Sequence, residues 1–262
     1  MRSTAQREAE GLRSSRLEAG AEAVRDLLHE PGVEAVQIPR PGLGALPYQG
    51  FVRALLRAPG FKLDLRGQAP EATLAMVADR LFGAGSFAAE RAVLARDICA
   101  LSDFAAKLCG DARPLVAIRT YFAPGDLVWH VDRLNERKAF RLLWALGRPA
   151  GMRVTPADNI DPAVYRGFMR REFSLLGQLD TRVLHTGAAV ESLWAHRPAQ
   201  LDAMRSGRFP FILDPTREWA VDAAAASVHR VETPAARGTY HRSSWENRRS
   251  PGVQIVVTVA SD

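Results

Sequence analysis

Arg119-Thr-Tyr-Phe-Ala-Pro-Gly-Asp-Leu-Val-Trp-His-Val-Asp132 is followed, after a charged break, by the apolar run Phe140-Arg-Leu-Leu-Trp-Ala-Leu146. The segments are short and β-prone, and Pro124-Gly125 marks a turn within the first, between 115–122 and 127–133. Side chains alternate across a strand, so His130 and Asp132 project from one face. An imidazole and a carboxylate one pleat apart can fill two adjacent positions on a metal ion. A second histidine from a distant strand would complete a two-histidine, one-carboxylate set, which leaves positions open and suits non-haem Fe(II).

Outward from this stretch, the spacing predicts further strands at 152–155, 209–213, 225–232, 239–245 and 253–260, besides 115–122, 127–133 and 140–146. Residues 161–206 interrupt them with an arginine-rich helical insert that either covers the mouth of the sheet or packs as an accessory layer. The first 113 residues are mainly helical, with helices expected at 4–29, 48–58, 70–83 and 87–108 and one strand at 33–38. The pattern predicts one α+β domain over 1–262: helical support in 1–113 and a sandwiched or closed antiparallel sheet in 114–262.

Composition narrows the function. Apolar residues make up 47% of the chain and charged residues 24%, as in ordinary globular proteins. No apolar run is long enough for a membrane span, and the N-terminus has no signal-peptide core. Cys99 and Cys109 are the only cysteines, too few for a disulfide framework, and they favour a reducing cytoplasm. The net charge of +6 is spread from Arg2 to Arg249 without a basic block or a nucleic-acid motif, so an anionic small molecule is the expected partner rather than a nucleic acid. There is no Gly-x-Ser-x-Gly elbow, P-loop or dinucleotide fingerprint.

The remaining ligand has to come from the C-terminal strands, where His229 and His241 are each followed by an arginine. Tyr121 ahead of His130-Val-Asp132, with His229-x-Val-x-x-Pro and an arginine downstream, resembles the Fe(II)/2-oxoglutarate-dependent oxygenase superfamily, most closely its prolyl-hydroxylase-like members. The resemblance covers about 115–146 and 225–262. It implies a double-stranded β-helix (jelly-roll, cupin-like) core with Fe(II) held by His130, Asp132 and His229. It also implies a basic residue, on the strand after the distal histidine, that grips the far carboxylate of 2-oxoglutarate. Arg242, thirteen residues beyond His229, and Arg237, eight beyond, are the candidates, with Arg242 preferred because it falls within a strand. Tyr121 matches a tyrosine that hydrogen-bonds the same cosubstrate in some members. A second register makes 253–260 the closing strand, with Gln254 where an arginine is expected. His241 then becomes the distal ligand and Arg248 or Arg249 the anchor. The Val-x-x-Pro after His229 favours the first register.

The activity implied is hydroxylation, or a related oxidation, of an unactivated C–H bond of a small molecule by O2. Related halogenases have a small residue in place of the carboxylate, so Asp132 points away from halogenation. The alternatives are a cupin-like metal- or ligand-binding protein without 2-oxoglutarate turnover, and a protein or RNA hydroxylase. Trp129 and Trp144 are expected in the core or pocket wall; Arg141 either faces the site, to meet an anionic substrate group, or lies on a solvated face, and the solvated face is preferred.

Overall fold

The computed structural model describes residues 11–58, 62–64, 68–110, 112–121, 127–176, 195, 197–250 and 252–261. In chain order the strands are β1 (Leu12–Ser14), β2 (Ala35–Ile38), β3 (Lys62–Asp64), β4 (Leu115–Tyr121), β5 (Lys138–Leu146), β6 (Met152–Thr155), β7 (Trp219–Ala220), β8 (Ala226–Arg230), β9 (Tyr240–Ser243) and β10 (Gly252–Ser261). The helices are α1 (Gly20–His29), α2 (Gln49–Arg57), α3 (Pro70–Phe82), α4 (Ala88–Leu108), α5 (Pro162–Leu176) and α6 (Pro198–Ser206).

Seven strands form one sheet in the order β1-β2-β8-β5-β10-β4-β3, and β7-β6-β9 form a second. All pairs are antiparallel except β1 with β2. The fold is therefore α+β with two sheets.

Strand alternation decides where the core lies. Phe140, Leu142, Trp144 and Leu146 on β5, Ala226 and Val228 on β8, and Val253, Ile255, Val257 and Val259 on β10 are all buried in one cluster. They pack there with Val24 and Leu28 of α1, Phe51 and Leu55 of α2, Leu74 of α3, and Leu94, Ile98 and Leu101 of α4. The N-terminal helices thus cover one face of the large sheet. The opposite face carries the intervening residues, among them Arg141, Ser227, His229, Gln254 and Thr258, and it is this face that bears the chemistry.

A second cluster joins Trp129, Met169 of α5, Leu201 and Met204 of α6, and Phe209 and Phe211, so the described parts of the insert pack as a layer. Asn159 stitches this region together. It is fully buried, its amide donates to Thr155 Oγ1 (2.8 Å) and the Asp214 carbonyl (2.9 Å), and its Oδ1 accepts from the Asp214 N–H (2.8 Å). Asn159→Ala strands the Asp214 N–H and leaves its carbonyl with the Arg217 N–H alone (3.1 Å), at an expected cost of about 2 kcal/mol, measurable by urea unfolding.

Several boundaries differ from expectation. Residues 12–14 form β1 instead of the helix expected over 4–29, because Leu12 joins Ala35 and Val154 in a small apolar cluster. Gly11, just before it, lies so close to the Trp219 ring that a Cβ there would come within 1.9 Å of it. The segments 127–133 and 209–213 form isolated bridges rather than strands, at His130–His241, Arg133–Glu232 and Ile160–Ile212. Residues 4–10, Phe122 and 177–194 of the insert lie outside the described residues.

Candidate metal centre

His130 pairs with His241 through two backbone hydrogen bonds, His130 N–H to the His241 carbonyl (3.0 Å) and the reverse (2.9 Å). This bridge adds His130 to the edge of the small sheet beside β9, and two residues on, Asp132 points the same way. Among the described residues, His130, Asp132 and His241 form a group whose ligand atoms all lie within 4.8 Å of one another.

Backbone carbonyls settle the ring nitrogens. A carbonyl only accepts, so His130 Nδ1–H donates to the Val128 carbonyl (3.0 Å) and His241 Nδ1–H to the Thr239 carbonyl (3.2 Å). Each ring therefore keeps its Nε2 lone pair for an ion, the arrangement by which an outer partner fixes a ligating histidine. His241 Nε2 is 3.4 Å from Asp132 Oδ2. Burial, with repulsion from His130 and His229, pushes the His241 pKa well below its ordinary value, so the imidazole is neutral, the form a metal takes. For Asp132, burial by itself raises the pKa, but His229, His241 and Arg141 together outweigh it and hold the carboxyl well below the usual range. A ready carboxylate and two imidazoles converge on one point. The chain carries a two-histidine, one-carboxylate site, a donor set that fits Fe(II).

No known family model matches the chain, and neither does any curated protein. Solved structures similar to it include a rice dioxygenase for auxin oxidation (15% identity, TM-score 0.47, covering 95% of this chain and 83% of that one). Two others come from nogalamycin biosynthesis. The non-heme alpha ketoglutarate-dependent epimerase SnoN shares 15% identity at a TM-score of 0.42, with 93% and 84% of the two chains covered. The carbocyclase SnoK shares 13% at 0.40, with 95% and 87% covered. What the site can do therefore follows from its own residues.

The other expected residues fall as follows. His229, on β8 of the large sheet, also reaches the centre: it is fully buried, with Nε2 3.8 Å from Asp132 Oδ2. Arg242 follows His241 on β9, so alternation turns it to the far side of the small sheet. There its guanidinium lies over Trp129 (5.2 Å) and Phe209 (5.1 Å), with Glu218 at 3.9 Å. Burial depresses its pKa to about 10. Arg237 is exposed, lining a cavity of about 270 Å³ with Glu34, Asp158, Arg217 and Arg230. Tyr121 closes β4 opposite Gly252, and its side chain lies outside the described residues. The Arg248 guanidinium lies over the Trp245 ring at 4.9 Å.

Two arginines face the interior, Arg141 and Arg119. Arg141 was expected on a solvated face, but it forms an ion pair with Asp132 Oδ2 and its Nε donates to Thr258 Oγ1 (3.2 Å). Arg119 stands opposite Gln254 and donates from Nε to Gln254 Oε1 (3.0 Å). The signal for Arg141 was present in the chain. Phe140, Leu142 and Trp144 claim the helix-covered face of β5, which leaves Arg141 for the other.

Proposed function

We propose that this protein is an Fe(II)- and 2-oxoglutarate-dependent dioxygenase that hydroxylates, or otherwise oxidises, an unactivated C–H bond of a small molecule such as an amino acid or anionic metabolite. The observation that carries the reading is the convergence of His130 Nε2, His241 Nε2 and the Asp132 carboxylate. In this reading those three hold the metal, in the second of the two registers that the sequence leaves open. Three positions then remain for small ligands. Bound there, iron with 2-oxoglutarate supplies the oxidising power for C–H chemistry; the chain supplies binding, orientation and a dry interior.

Gln254 lies thirteen residues beyond His241 on β10, where the resemblance leads one to expect a basic residue. Arg119, its cross-strand partner on β4, brings the missing charge from the neighbouring strand. The pair sits four residues along β10 from Thr258, about 13 Å at the rise of an antiparallel strand. Arg119 receives the far carboxylate of a dicarboxylate whose other end chelates the metal, and the bond to Gln254 sets the plane of its fork. Arg141, beside Asp132, orients that carboxylate and offers a cation to an anionic substrate. The free Cys99 and Cys109 suit a reducing cytoplasm.

The presence of Gln254 in the arginine position favours a second reading, a cupin-like metal-binding protein that does not turn over 2-oxoglutarate. Anaerobic titration of the apo-protein with Fe(II) and 2-oxoglutarate, followed by the visible charge-transfer band, separates the two. The oxygenase reading expects a band whose half-saturating 2-oxoglutarate rises about 10- to 100-fold in Arg119→Ala and stays unchanged in Arg237→Ala. An iron-loaded wild type that gives no band at any 2-oxoglutarate concentration leaves the binding-protein reading in front.

A further inference from the structure

Away from the metal centre, the cavity that Arg237 lines gathers three arginines from distant parts of the chain. Arg217, Arg230 and Arg237 share it with two carboxylates, Glu34 and Asp158, and its volume is about 270 Å³. Pockets for drug-sized ligands hold about 300–1,000 Å³, so this one suits a small ion or a single charged group. The charges around it do not cancel. Arg217 Nη2 meets Asp158 Oδ1 at 2.8 Å, and Arg230 Nη2 meets Glu34 Oε2 at 3.1 Å. Arg230 is further committed to the backbone, with Nη1 on the Leu28 carbonyl (2.6 Å) and Nη2 on the Val33 carbonyl (2.8 Å). Arg237 is exposed and has no carboxylate partner among the described residues, so three cations against two anions leave the cavity one positive charge.

The backbone beside Arg237 is set firmly. Gly238 is buried, and a Cβ there would come within 2.4 Å of the Glu232 nitrogen and 2.6 Å of Val131 Cγ2. That close packing presents the Arg237 side chain at a defined place on the cavity rim. Arg217 joins Asp158 through Nη2, which leaves the rest of its fork to the cavity.

We propose that this cavity is a second binding site, for a small oxyanion: a carboxylate or phosphate group held by Arg237 and Arg217. A planar guanidinium can meet two oxygens of such a group at once, and the ion pair of Arg230 with Glu34 forms a neutral floor beneath it. The site is distinct from the metal centre. Arg230 follows His229 on β8, and alternation along the strand turns the two side chains to opposite faces. Asp158 competes with the anion for Arg217, so binding there is weaker than it would be without that carboxylate.

The test titrates the metal-free protein by calorimetry with inorganic phosphate and, separately, with acetate, at low ionic strength because exposed charges are readily screened. At least one anion is expected to bind saturably. Its half-saturating concentration rises about 10-fold or more in Arg237→Ala and stays unchanged in Arg119→Ala, whose guanidinium lies in the interior. Asp158→Asn releases Arg217 and tightens binding by about two- to fivefold. Binding of phosphate alone assigns the site to phosphate groups, of acetate alone to carboxylates, and of both to oxyanions in general. A wild type that binds neither anion overturns the site. So does an affinity unchanged by Arg237→Ala, or one lowered equally by Arg119→Ala, which would reflect only the net charge of the protein.

Discussion

His241→Ala abolishes tight Fe(II) binding, by the chemistry of the centre, while the helices and the large sheet stay folded. The substitution removes a neutral imidazole whose Nε2 points at Asp132 and whose backbone bridge positions His130. The bridge is made by main-chain atoms and survives the change, so the loss is confined to the ligand. Disturbing only the outer partners of a metal ligand costs about 10- to 100-fold in affinity, and removal of the ligand itself exceeds that. Asp132→Ala has the same effect for a further reason: Arg141 is left facing the ion without its carboxylate. Calorimetric Fe(II) titration under anaerobic conditions measures both, with circular dichroism as the check on folding. An Fe(II) affinity unchanged by both substitutions would remove the centre from His130, Asp132 and His241.

Trp144→Ala acts on the other side of the same sheet. Trp144 is fully buried among the helix-facing residues, its indole N–H donates to the Ala224 carbonyl (3.1 Å), and the Arg40 guanidinium lies 4.7 Å from its ring. Truncation opens a large cavity and orphans a carbonyl, with an expected loss of about 3–5 kcal/mol. Against a typical stability of about 5–15 kcal/mol this is a large share. Trp144→Phe keeps most of the ring volume and should recover a good part of the loss. Urea unfolding at constant slope gives both values, and a loss below about 1 kcal/mol for Trp144→Ala contradicts the packing described.

The sequence was most legible where periodicity and breakers agree. α3 begins at Pro70, where a missing N–H costs nothing, and α4 spans the expected 87–108 to within a residue. The strands β5, β6, β8, β9 and β10 follow the expected segments because those are short β-prone runs bounded by Gly, Pro or charged residues. Periodicity carries no information about partners, however. The parallel pairing of β1 with β2 depends on Leu12 reaching Ala35 and Val154, far away in the chain. In the same way, whether His229 or His241 approaches Asp132 depends on which strands face each other, and here both do. The Arg119–Gln254 pair was hidden for a related reason. The unexpected glutamine was visible, but the strand that supplies its cation is fixed only by register.

The division of β10 between its two faces has a consequence for how such a chain can change. Val253, Ile255, Val257 and Val259 hold the sheet to the helices, whereas Gln254, Val256 and Thr258 look into the interior beside the arginines. A substitution at an even-numbered position alters what the interior recognises and leaves the apolar seam in place. New ligand preferences are therefore within reach of single steps that the fold tolerates, so drift in specificity can run ahead of any drift in architecture.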